Sequence, residues 1–371
     1  MRILVVNAGS SSLKLRVLDN LDQVLASRNI EAPSGRADPA DLRAFLKEAP
    51  EVNAAGHRVV HGGRDFRQSV LVSDDMLTRL SPLADLAPLH NPPALIALEM
   101  VRNLLPGISN VACFDTAFHA TIPDEAAQYA LPLQWRESWG IRRFGFHGLN
   151  HAYASRRAAE LLERPVEELR LVTCHLGAGA SLAAIAGGRS VDTTMGFTPL
   201  EGLVMATRSG SVDPGAVLWV QRHAGLSSEE VERILEHESG VLGLSGLSAD
   251  MRLVQQAASE GEPRATMAID VYVHRLCAGV AAMAASLGGL DGLVFTGGVG
   301  EGSAVIRARA CERLGLLGVE LDANRNESAG SDDQDLTAAG RRVRVLLVQA
   351  REDLEIAREV RRVVGSTPEL G

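Results

Sequence analysis

Three glycine-rich stretches of the sequence have residue types that can bind phosphate. Residues 175–181 (HLGAGAS) lie between two apolar segments, which predicts two strands joined by a tight turn. Residues 7–12 (NAGSSS) have the same plan, and residues 296–302 (TGGVGEG) lie between a predicted strand and a helical pattern. Glycine lets the backbone approach a ligand closely, and successive N–H groups in such a turn can form an anion site. One such turn alone could be a simple hairpin bend, but three together favour a nucleotide-binding protein.

Four charged or titratable side chains near the ends of predicted elements are candidates for a reacting centre. Arg58 and Arg208 can make bidentate contacts with phosphate or carboxylate. Asp115 follows a predicted strand, where ligands of α/β proteins usually bind, and His147 lies between two glycines. Phosphoryl transfer needs cations, a metal ion and an in-line acceptor. Taken singly, each residue has a structural alternative: a surface charge, a turn residue or a cap.

The elements that must position these residues follow an α/β pattern, because apolar strands alternate with amphipathic helices. Aligning Gly9 with Gly177 superimposes two copies of one strand–turn–strand unit, which predicts a duplicated domain closing on a nucleotide. Asn91 followed by Pro92 predicts the N-cap of one helix, and the 227–230 stretch (SSEE) predicts a capping box for another.

Composition excludes several classes of function. The chain has 371 residues, a comfortable length for two domains, and is 46% hydrophobic with a net charge of -9. That charge gives no electrostatic case for binding nucleic acid or an anionic membrane, and aromatic residues are only 4%. The four cysteines have no zinc-type spacing, and we expect them to be free thiols. With no signal-peptide pattern and no apolar run approaching about 20 residues, we expect a cytoplasmic protein.

Nine motifs in order along the chain resemble those of the acetate kinase family, which has the acetate and sugar kinase/Hsp70/actin fold. The resemblance runs from residue 3 to about residue 360. The motifs are NAGSSSLK (7–14), GHRVVHGG (56–63), APLHNPP (87–93), FDTAFH (114–119), FGFHG (144–148), HLGAGAS (175–181), GFTPLEG (196–202), TRSG (207–210) and GGVGE (297–301).

This resemblance implies reversible transfer of the ATP γ-phosphoryl group to a short-chain carboxylate, giving an acyl phosphate and ADP. A carboxylate is already ionised at pH 7, so the acceptor needs no general base. By motif, Arg58 and Arg208 would hold the carboxylate and the phosphoryl oxygens. His147 would hydrogen-bond the phosphoryl group in the transition state, and Asp115 would orient the cluster, most simply through an arginine.

The resemblance also implies binding residues. Asn7 and Glu352 would hold Mg²⁺, with Mn²⁺ as the alternative, directly or through water. The acyl methyl pocket would be formed by Val60, Leu89, Phe146 and Pro199. The nucleotide would be bound by Ser10, Ser12, Lys14, His175, Gly177, Ala178, Gly179, Gly297, Gly298 and Gly300.

Four positions depart from the family's usual motifs. Ala178 and Gly302 stand where the family usually has asparagine, and Ser211 stands in place of an acid. Arg351 adds a positive charge beside Glu352. Three of these lie in motifs on the nucleotide or metal side. They leave open a pyrophosphate-dependent kinase, a propionate or butyrate kinase, or a nucleotide-binding sensor that has lost turnover.

The implied fold is α/β, a two-lobed, duplicated actin-like (ribonuclease H-like) ATPase fold. We expect lobe I to be residues 1–116 plus 353–371, and lobe II to be residues 117–352. Substrates would bind in the cleft, and closure would exclude water. The expected partners are a small carboxylate and a nucleotide, and the resemblance implies a homodimer.

Overall fold

The computed structural model describes residues 1–9, 12–32, 37–87 and 90–366. Their architecture is α/β, as predicted, and they form two compact units. The first unit contains the described residues of Met1–Ala120, Phe146–Tyr153 and Arg351–Gly371. The second contains Thr121–Gly145 and Ala154–Ala350. The lobe boundaries expected from the sequence, at 116/117 and 352/353, remain a prediction of domain organisation.

Twelve strands lie in the described part of the chain, and six belong to each unit. Those of the first unit are β1 Ile3–Ala8, β2 Ser12–Leu18, β3 Val24–Glu31, β4 Ala54–Val59, β5 Val70–Leu71 and β6 Ser109–Phe114. Those of the second are β7 Arg170–Leu176, β8 Ala180–Ala186, β9 Arg189–Thr193, β10 Gly292–Thr296, β11 Gln334–Asp335 and β12 Arg344–Leu347.

Fifteen α-helices connect or flank these strands in the same described ranges. They are α1 Pro39–Glu48, α2 Asp74–Leu80, α3 Asn91–Leu104, α4 Asp124–Ala127, α5 Leu133–Trp139, α6 Gly148–Leu161, α7 Pro214–Ala224, α8 Ser228–His237, α9 Gly240–Ser245, α10 Met251–Ser259, α11 Pro263–Ser286, α12 Gly297–Gly302, α13 Ala304–Arg313, α14 Ala323–Glu327 and α15 Glu352–Gly365. Short 3₁₀ helices cover Ser81–Leu86, Ala117–Thr121, Val166–Glu168 and Gly315–Leu317.

The sheet of the first unit has the strand order β3-β2-β1-β4-β6-β5. Strands β1, β4 and β6 are parallel, whereas β2, β3 and β5 pair antiparallel to their neighbours. In register, Val6 lies beside His57, and Arg58 lies beside Cys113. The carboxyl ends of the three parallel strands therefore meet at one edge of the sheet, which is where Asn7, Arg58 and Asp115 occur.

The sheet of the second unit repeats this topology. Its order, read from the other end, is β9-β8-β7-β10-β12-β11, with β7, β10 and β12 parallel and the outer strands antiparallel. Each unit thus has an antiparallel meander followed by two parallel strands and one antiparallel edge strand. The duplication predicted from the two glycine turns is present in the order and direction of all six strands.

Helix α15 covers one face of the first sheet. Its apolar residues Ile356 and Val360 pack with Ile3, Val5 and other buried residues of the parallel strands. The helix lies so close to β4 that a Cβ at Gly56 would be 2.5 Å from Ile356 and 2.6 Å from Val360. A glycine at this position is therefore required for helix and sheet to touch.

Helix α11 is long and apolar enough to cross a membrane by length and composition alone. It is the single helix of the described residues that passes this test, and 44% of its most apolar window is buried inside the protein. Its residues Ile269, Tyr272, Val273 and Leu276 are buried, so its apolar character belongs to the core of the second unit.

Candidate active site

The first unit contains a buried ion pair at the carboxyl edge of its sheet. The guanidinium of Arg58, near the end of β4, donates from Nη2 to Asp115 Oδ2 at 2.6 Å and from Nε to Oδ1 at 3.0 Å. The Asp115 side chain is 1% exposed and that of Arg58 is 18% exposed. Because two parallel N–H groups donate hydrogen bonds to one carboxylate, the plane and direction of the guanidinium are fixed.

The electrostatics of this pair keep Arg58 charged. Burial by itself lowers the pKa of Arg58, but the charges of Asp115 and Glu352 and the hydrogen bonds to Asp115 raise it above its ordinary value. The pKa of Asp115 is raised above its ordinary value, because burial and the nearby Glu352 carboxylate raise it by more than the Arg58 guanidinium and the backbone N–H of His147 lower it. The Arg58 guanidinium is thus a cation that Asp115 holds in one orientation.

Asn7 and Glu352, the two residues predicted to hold a metal ion, lie together beside this pair. Asn7 Nδ2 donates to Glu352 Oε2 at 3.3 Å, and Asn7 Oδ1 accepts from Arg58 Nη1 at 3.3 Å. Glu352 Oε2 is 3.9 Å from Arg58 Nη1. Amide and carboxylate oxygens are the donors Mg²⁺ prefers, and this ion is usually held by one or two carboxylates plus substrate phosphates. No cluster of three His, Cys, Asp or Glu with metal-binding geometry occurs in the described ranges.

The backbone at His147 is held against Asp115. His147 has φ +56°, an uncommon conformation for a residue other than glycine. The next residue, Gly148, donates its N–H to the Asp115 carbonyl at 3.0 Å, and a Cβ at Gly148 would lie 2.0 Å from that oxygen. The glycine after His147 is therefore a steric necessity, and the FGFHG motif carries His147 to the Arg58–Asp115 pair.

Two of the four residues predicted for the acyl pocket are described in the first unit. Phe146 is fully buried, with its ring 5.3 Å from that of His61 in an edge contact, and its carbonyl oxygen is 3.0 Å from His119 Nε2. Val60 is also buried. Leu89 lies outside the described residues, as does Ser10 of the predicted phosphate turn. Of the remaining residues predicted beside that turn, Lys14 is exposed and Ser12 is partly buried, both on β2.

The glycine residues of the second unit form two adjoining segments. Gly177 donates its N–H to the Gly179 carbonyl at 2.9 Å, closing the β7–β8 turn next to His175. Gly297 has φ +79°, and a Cβ there would lie 2.8 Å from the Leu176 carbonyl. The two segments therefore touch through backbone alone, at a position where a side chain cannot fit.

The third glycine stretch is not the turn that the sequence predicts. Residues 297–302 form the short helix α12, which begins directly at the end of β10. The Glu301 carboxylate turns back and accepts the N–H of Gly297 and that of Ala350, each at 2.8 Å. This contact satisfies a first-turn N–H that a helix otherwise leaves without a partner, which explains why a glycine-rich stretch becomes helical here.

A cavity of about 590 Å³ opens beside these glycines. Its lining includes Gly177, Ala178, Gly298 and Gly302. Its other side is formed by residues the sequence analysis did not identify, namely Ala206, Val241, Ala249, Asp250, Met251, Arg252, Gln255, Tyr272, Val299 and Ser303. Among these lining residues, Asp250 had a recognisable sequence signal: it caps α10 by accepting the N–H of Arg252 at 2.9 Å. A cap of that kind predicts a helix start, and gives no indication of a cavity.

Arg208 and Pro199 lie together in the second unit. Arg208 Nη1 donates to the Pro199 carbonyl at 3.4 Å, and Arg208 Nε is 3.9 Å from Glu236 Oε2. Burial lowers the pKa of Arg208, and Glu236 partly offsets that effect. The Arg208 side chain is 18% exposed and has one carboxylate at 3.9 Å, so its guanidinium retains donors for an anionic ligand.

The departures from the family motifs have local explanations. Ser211 accepts the N–H of Gly202 through its hydroxyl at 3.1 Å and so ties together the segment that carries Arg208. The Arg351 guanidinium pairs with Asp353: its Nη2 donates to Asp353 at 3.0 Å, and Asp353 is also bound by Arg16 at 2.8 Å. Ala178 and Gly302 both line the cavity.

Comparisons with known proteins agree with the motifs. A model of the Acetokinase family matches residues 37–358. Acetate kinase of Nostoc sp. (strain PCC 7120) is 42% identical over 400 residues, covering 97% of this chain and 98% of its own length. Acetate kinase of Nostoc punctiforme is 52% identical over 307 residues, covering 83% of this chain and 75% of its own length.

Solved structures are similar over nearly the whole chain. The crystal structure of Porphyromonas gingivalis acetate kinase has a TM-score of 0.91 at 35% identity, with 98% of this chain and 99% of that chain covered. A propionate kinase from Francisella tularensis has a TM-score of 0.89 at 34% identity, with the same coverage. The chain has the duplicated actin-like ATPase fold of these enzymes, and it belongs to the acetokinase family.

Proposed function

We propose that this enzyme transfers the γ-phosphoryl group of ATP to acetate, giving acetyl phosphate and ADP. Membership of the acetokinase family makes the chain a phosphotransferase with a carboxylate acceptor. The observation that carries the proposal is the buried Arg58–Asp115 pair, whose guanidinium is fixed next to Asn7, Glu352 and the backbone of His147.

The residues of the first unit suit an acceptor that is already an anion. Arg58 would bind the carboxylate or the phosphoryl oxygens, and Asp115 would orient Arg58 without taking a proton. His147 would hydrogen-bond the phosphoryl group during transfer. Such a set of groups lowers the barrier by positioning and by fixed charge, which is what phosphoryl transfer mainly needs.

The residues of the second unit suit a nucleotide. The cavity beside Gly177 and Gly298 has a volume within the range of small-molecule sites. We assign the phosphates to the predicted glycines and to His175, Ala178 and Gly179, and the nucleoside to the cavity beyond them. Ser10, Ser12 and Lys14 would flank the phosphates. Pyrophosphate would leave that cavity unused, so we favour ATP as the donor.

Asn7 and Glu352 would hold Mg²⁺ or Mn²⁺. The ion would neutralise phosphate charge when bound, while the protein's own contribution is to keep the Asn7 and Glu352 side chains in contact at the end of β1 and the start of α15.

Val60, Leu89, Phe146 and Pro199 would contact the acyl group. A pocket that differs by one methylene discriminates by only about 1–3 kcal/mol, so propionate and butyrate are the natural competitors of acetate.

The test is an assay that traps acyl phosphate with hydroxylamine. It would combine Mg²⁺ with acetate, propionate or butyrate, each with ATP and with pyrophosphate. We expect the fastest product formation with ATP and acetate. Product only with pyrophosphate, or only with a longer acid, would reassign the substrates, and no product in any combination would leave a nucleotide-binding sensor.

Arg208 supplies a second test of the proposal. Arg208→Ala should reduce turnover by about 10³-fold or more, because it removes a charge that stabilises the transferring group. The thermal unfolding midpoint should stay close to the wild-type value. A variant with near-normal turnover would contradict the assigned role.

We also propose a homodimer formed through α7. No residue of this helix is buried, and Leu218, Trp219 and Val220 are exposed. The Trp219 ring stacks on the His223 ring with their centroids 3.9 Å apart. An apolar helical face of this kind is typical of an interface between subunits. Sedimentation analysis of Trp219→Glu should show a monomer where the wild type is a dimer; an unchanged sedimentation coefficient would exclude this face.

We place the reaction in the cytoplasm. Cys113, Cys174, Cys277 and Cys311 are free thiols, as expected of a protein in a reducing compartment, and ATP is available there.

A further inference from the structure

We propose that Tyr129, Arg143 and Glu201 act together as a positioning cluster that fixes the 196–201 loop and thereby sets the selectivity for the acyl group. This inference rests on the proposed function, since the loop carries Pro199. None of the three residues belongs to the predicted site, and all three lie in the second unit.

Tyr129 is the centre of the cluster because its hydroxyl both donates and accepts a hydrogen bond. It donates its proton to Glu201 Oε2, and it accepts the backbone N–H of Phe197 at 3.0 Å. Burial and the bond to Glu201 raise the pKa of Tyr129, so the phenol stays protonated and keeps this donor. One hydroxyl therefore connects the start of the loop with the side chain near its end.

Arg143 connects the other oxygen of Glu201 to the backbone before the loop. Its Nη2 donates to Glu201 Oε1 at 2.8 Å, and its Nη1 donates to the carbonyls of Thr194 and Met195 at 3.0 and 3.1 Å. Its guanidinium also lies over the Tyr129 ring, 5.5 Å from the centroid. Each charge of the ion pair is thus satisfied by several partners, which is the condition for a partly buried pair to add rigidity.

The loop is packed so closely on the cluster that one of its positions must be glycine. A Cβ at Gly196 would lie 1.8 Å from Glu201 Oε2 and 2.1 Å from the Tyr129 hydroxyl. The Gly196 carbonyl accepts the N–H of Phe144 at 3.0 Å. Phe144 begins the motif that continues in sequence to Phe146 and His147, so the cluster joins two motifs that the proposed reaction uses.

The cluster would affect the proposed acyl site through Pro199 and Arg208. Pro199 lies within the fixed loop, and its carbonyl accepts a hydrogen bond from Arg208. If the loop loses its fixed position, both the apolar contact of the acyl group and the orientation of Arg208 change. The cavity assigned to the nucleoside is lined by other residues than Pro199, Arg208 and the cluster.

The experiment compares Tyr129→Phe and Glu201→Gln with Glu320→Gln, a matched control that alters an Arg–Glu ion pair remote from this loop. Hydroxylamine trapping would give kcat and KM for acetate, propionate and ATP. For the two cluster variants we expect kcat/KM for acetate to fall about tenfold, the effect of losing one hydrogen bond to a charged group. The propionate-to-acetate ratio of kcat/KM should rise, while the KM for ATP and the control variant should stay unchanged.

A second measurement is independent of turnover. Hydrogen exchange of the 196–202 amides, which include the Phe197 N–H, should be faster in Tyr129→Phe than in the wild type and unchanged in Glu320→Gln. Unchanged exchange together with unchanged acid selectivity would overturn the positioning role. A wild-type enzyme that forms no acyl phosphate would refute the proposed function instead, and the exchange result would still decide whether the cluster fixes the loop.

Discussion

The two sheets share one topology but differ in what stands at the carboxyl ends of their parallel strands. In the first unit these ends carry polar and charged side chains: Asn7 near the end of β1, Arg58 on β4 and Asp115 after β6. In the second unit the equivalent ends of β7 and β10 lead into glycines, and a cavity opens beside them. The duplicated fold thus presents charged side chains at the strand ends of the first unit and glycine backbone at the strand ends of the second.

The comparison indicates that equivalent strand ends in the two units can stabilise an anion in two physical ways. Charged side chains such as Arg58 act strongly but must be buried with a partner, so their removal affects both stability and turnover. Backbone N–H groups of glycines act through geometry, so any added Cβ disturbs them. The following predictions separate the two kinds of site.

The largest effect is expected at the charged end of the first sheet. Arg58→Ala leaves the Asp115 carboxylate buried without its partner, so the free energy of unfolding should fall by about 3–5 kcal/mol. Turnover should be lost, while calorimetry should still detect nucleotide binding, because the cavity and the glycines assigned to the phosphates lie in the second unit. Loss of nucleotide binding in a folded Arg58→Ala protein would contradict the separation.

The first unit should also be the acid-sensitive one. Burial lowers the pKa of His57 and that of His119 to about 4, although each ring is hydrogen-bonded. The unfolded chain therefore binds more protons than the native protein below about pH 6.5. Stability is complete above that pH and should fall as the pH drops towards 4, by up to about 3 kcal/mol per histidine.

Denaturant titration at several pH values measures this loss. His57→Gln and His119→Gln should each reduce the dependence of the unfolding free energy on pH between 6.5 and 4, and His237→Gln, at an exposed position of α8, serves as the control. A dependence that is the same in all three variants would show that other groups cause the acid sensitivity.

The glycine end of the second sheet should respond to one added carbon. Gly297→Ala forces an alanine into φ +79° with its Cβ 2.8 Å from a backbone oxygen, at a cost of about 1–3 kcal/mol. Nucleotide affinity should fall with it. Gly315→Ala, where a Cβ meets nothing within 4 Å, should behave as the wild type in both unfolding and calorimetry. Equal behaviour of the two variants would refute the steric argument.

The smallest effect is expected from a gain of one donor. Ala178→Asn places an amide in the lining of the cavity and should tighten ATP by about fivefold, the contribution of one additional hydrogen bond. Calorimetry with ATP and with pyrophosphate would show which ligand benefits. An unchanged affinity for both would remove Ala178 from the phosphate site.

The fold and most of the charged cluster were predictable because their signals are local in sequence. The glycine turns and the strand–helix alternation indicated the duplication, and the Ser227–Glu230 capping box is present as predicted. The motifs that contain Arg58, Asp115 and His147 are short, and each residue stands at or just beyond a strand end or helix start. These motifs therefore predicted one reacting cluster, although the expected lobe boundaries placed His147 in lobe II, whereas the structure groups it with the first unit.

What could not be predicted depends on long-range contacts. Asn91 has the residue type of an N-cap, but α3 begins at Asn91 itself and the cap position is His90. The Asn91 side chain exchanges hydrogen bonds with the backbone of His61, at 3.0 Å in both directions. Likewise, Tyr129, Arg143 and Glu201 are far apart in sequence and have no periodic pattern, so only the folded chain brings them together.

Helix α15 has a consequence for how the protein is made. The face of the first sheet that it covers, including Ile3, Val5 and Val111, is complete once β6 has been synthesised, but the helix that buries it comes about 240 residues later. At a translation rate of roughly 5–20 residues per second, that face stays open for roughly 10 to 50 seconds. Residues 121–350 are synthesised during this interval, so the second unit can fold before α15 covers the first sheet. The nascent chain is thus most exposed to aggregation, and most dependent on chaperones, through its earliest strands.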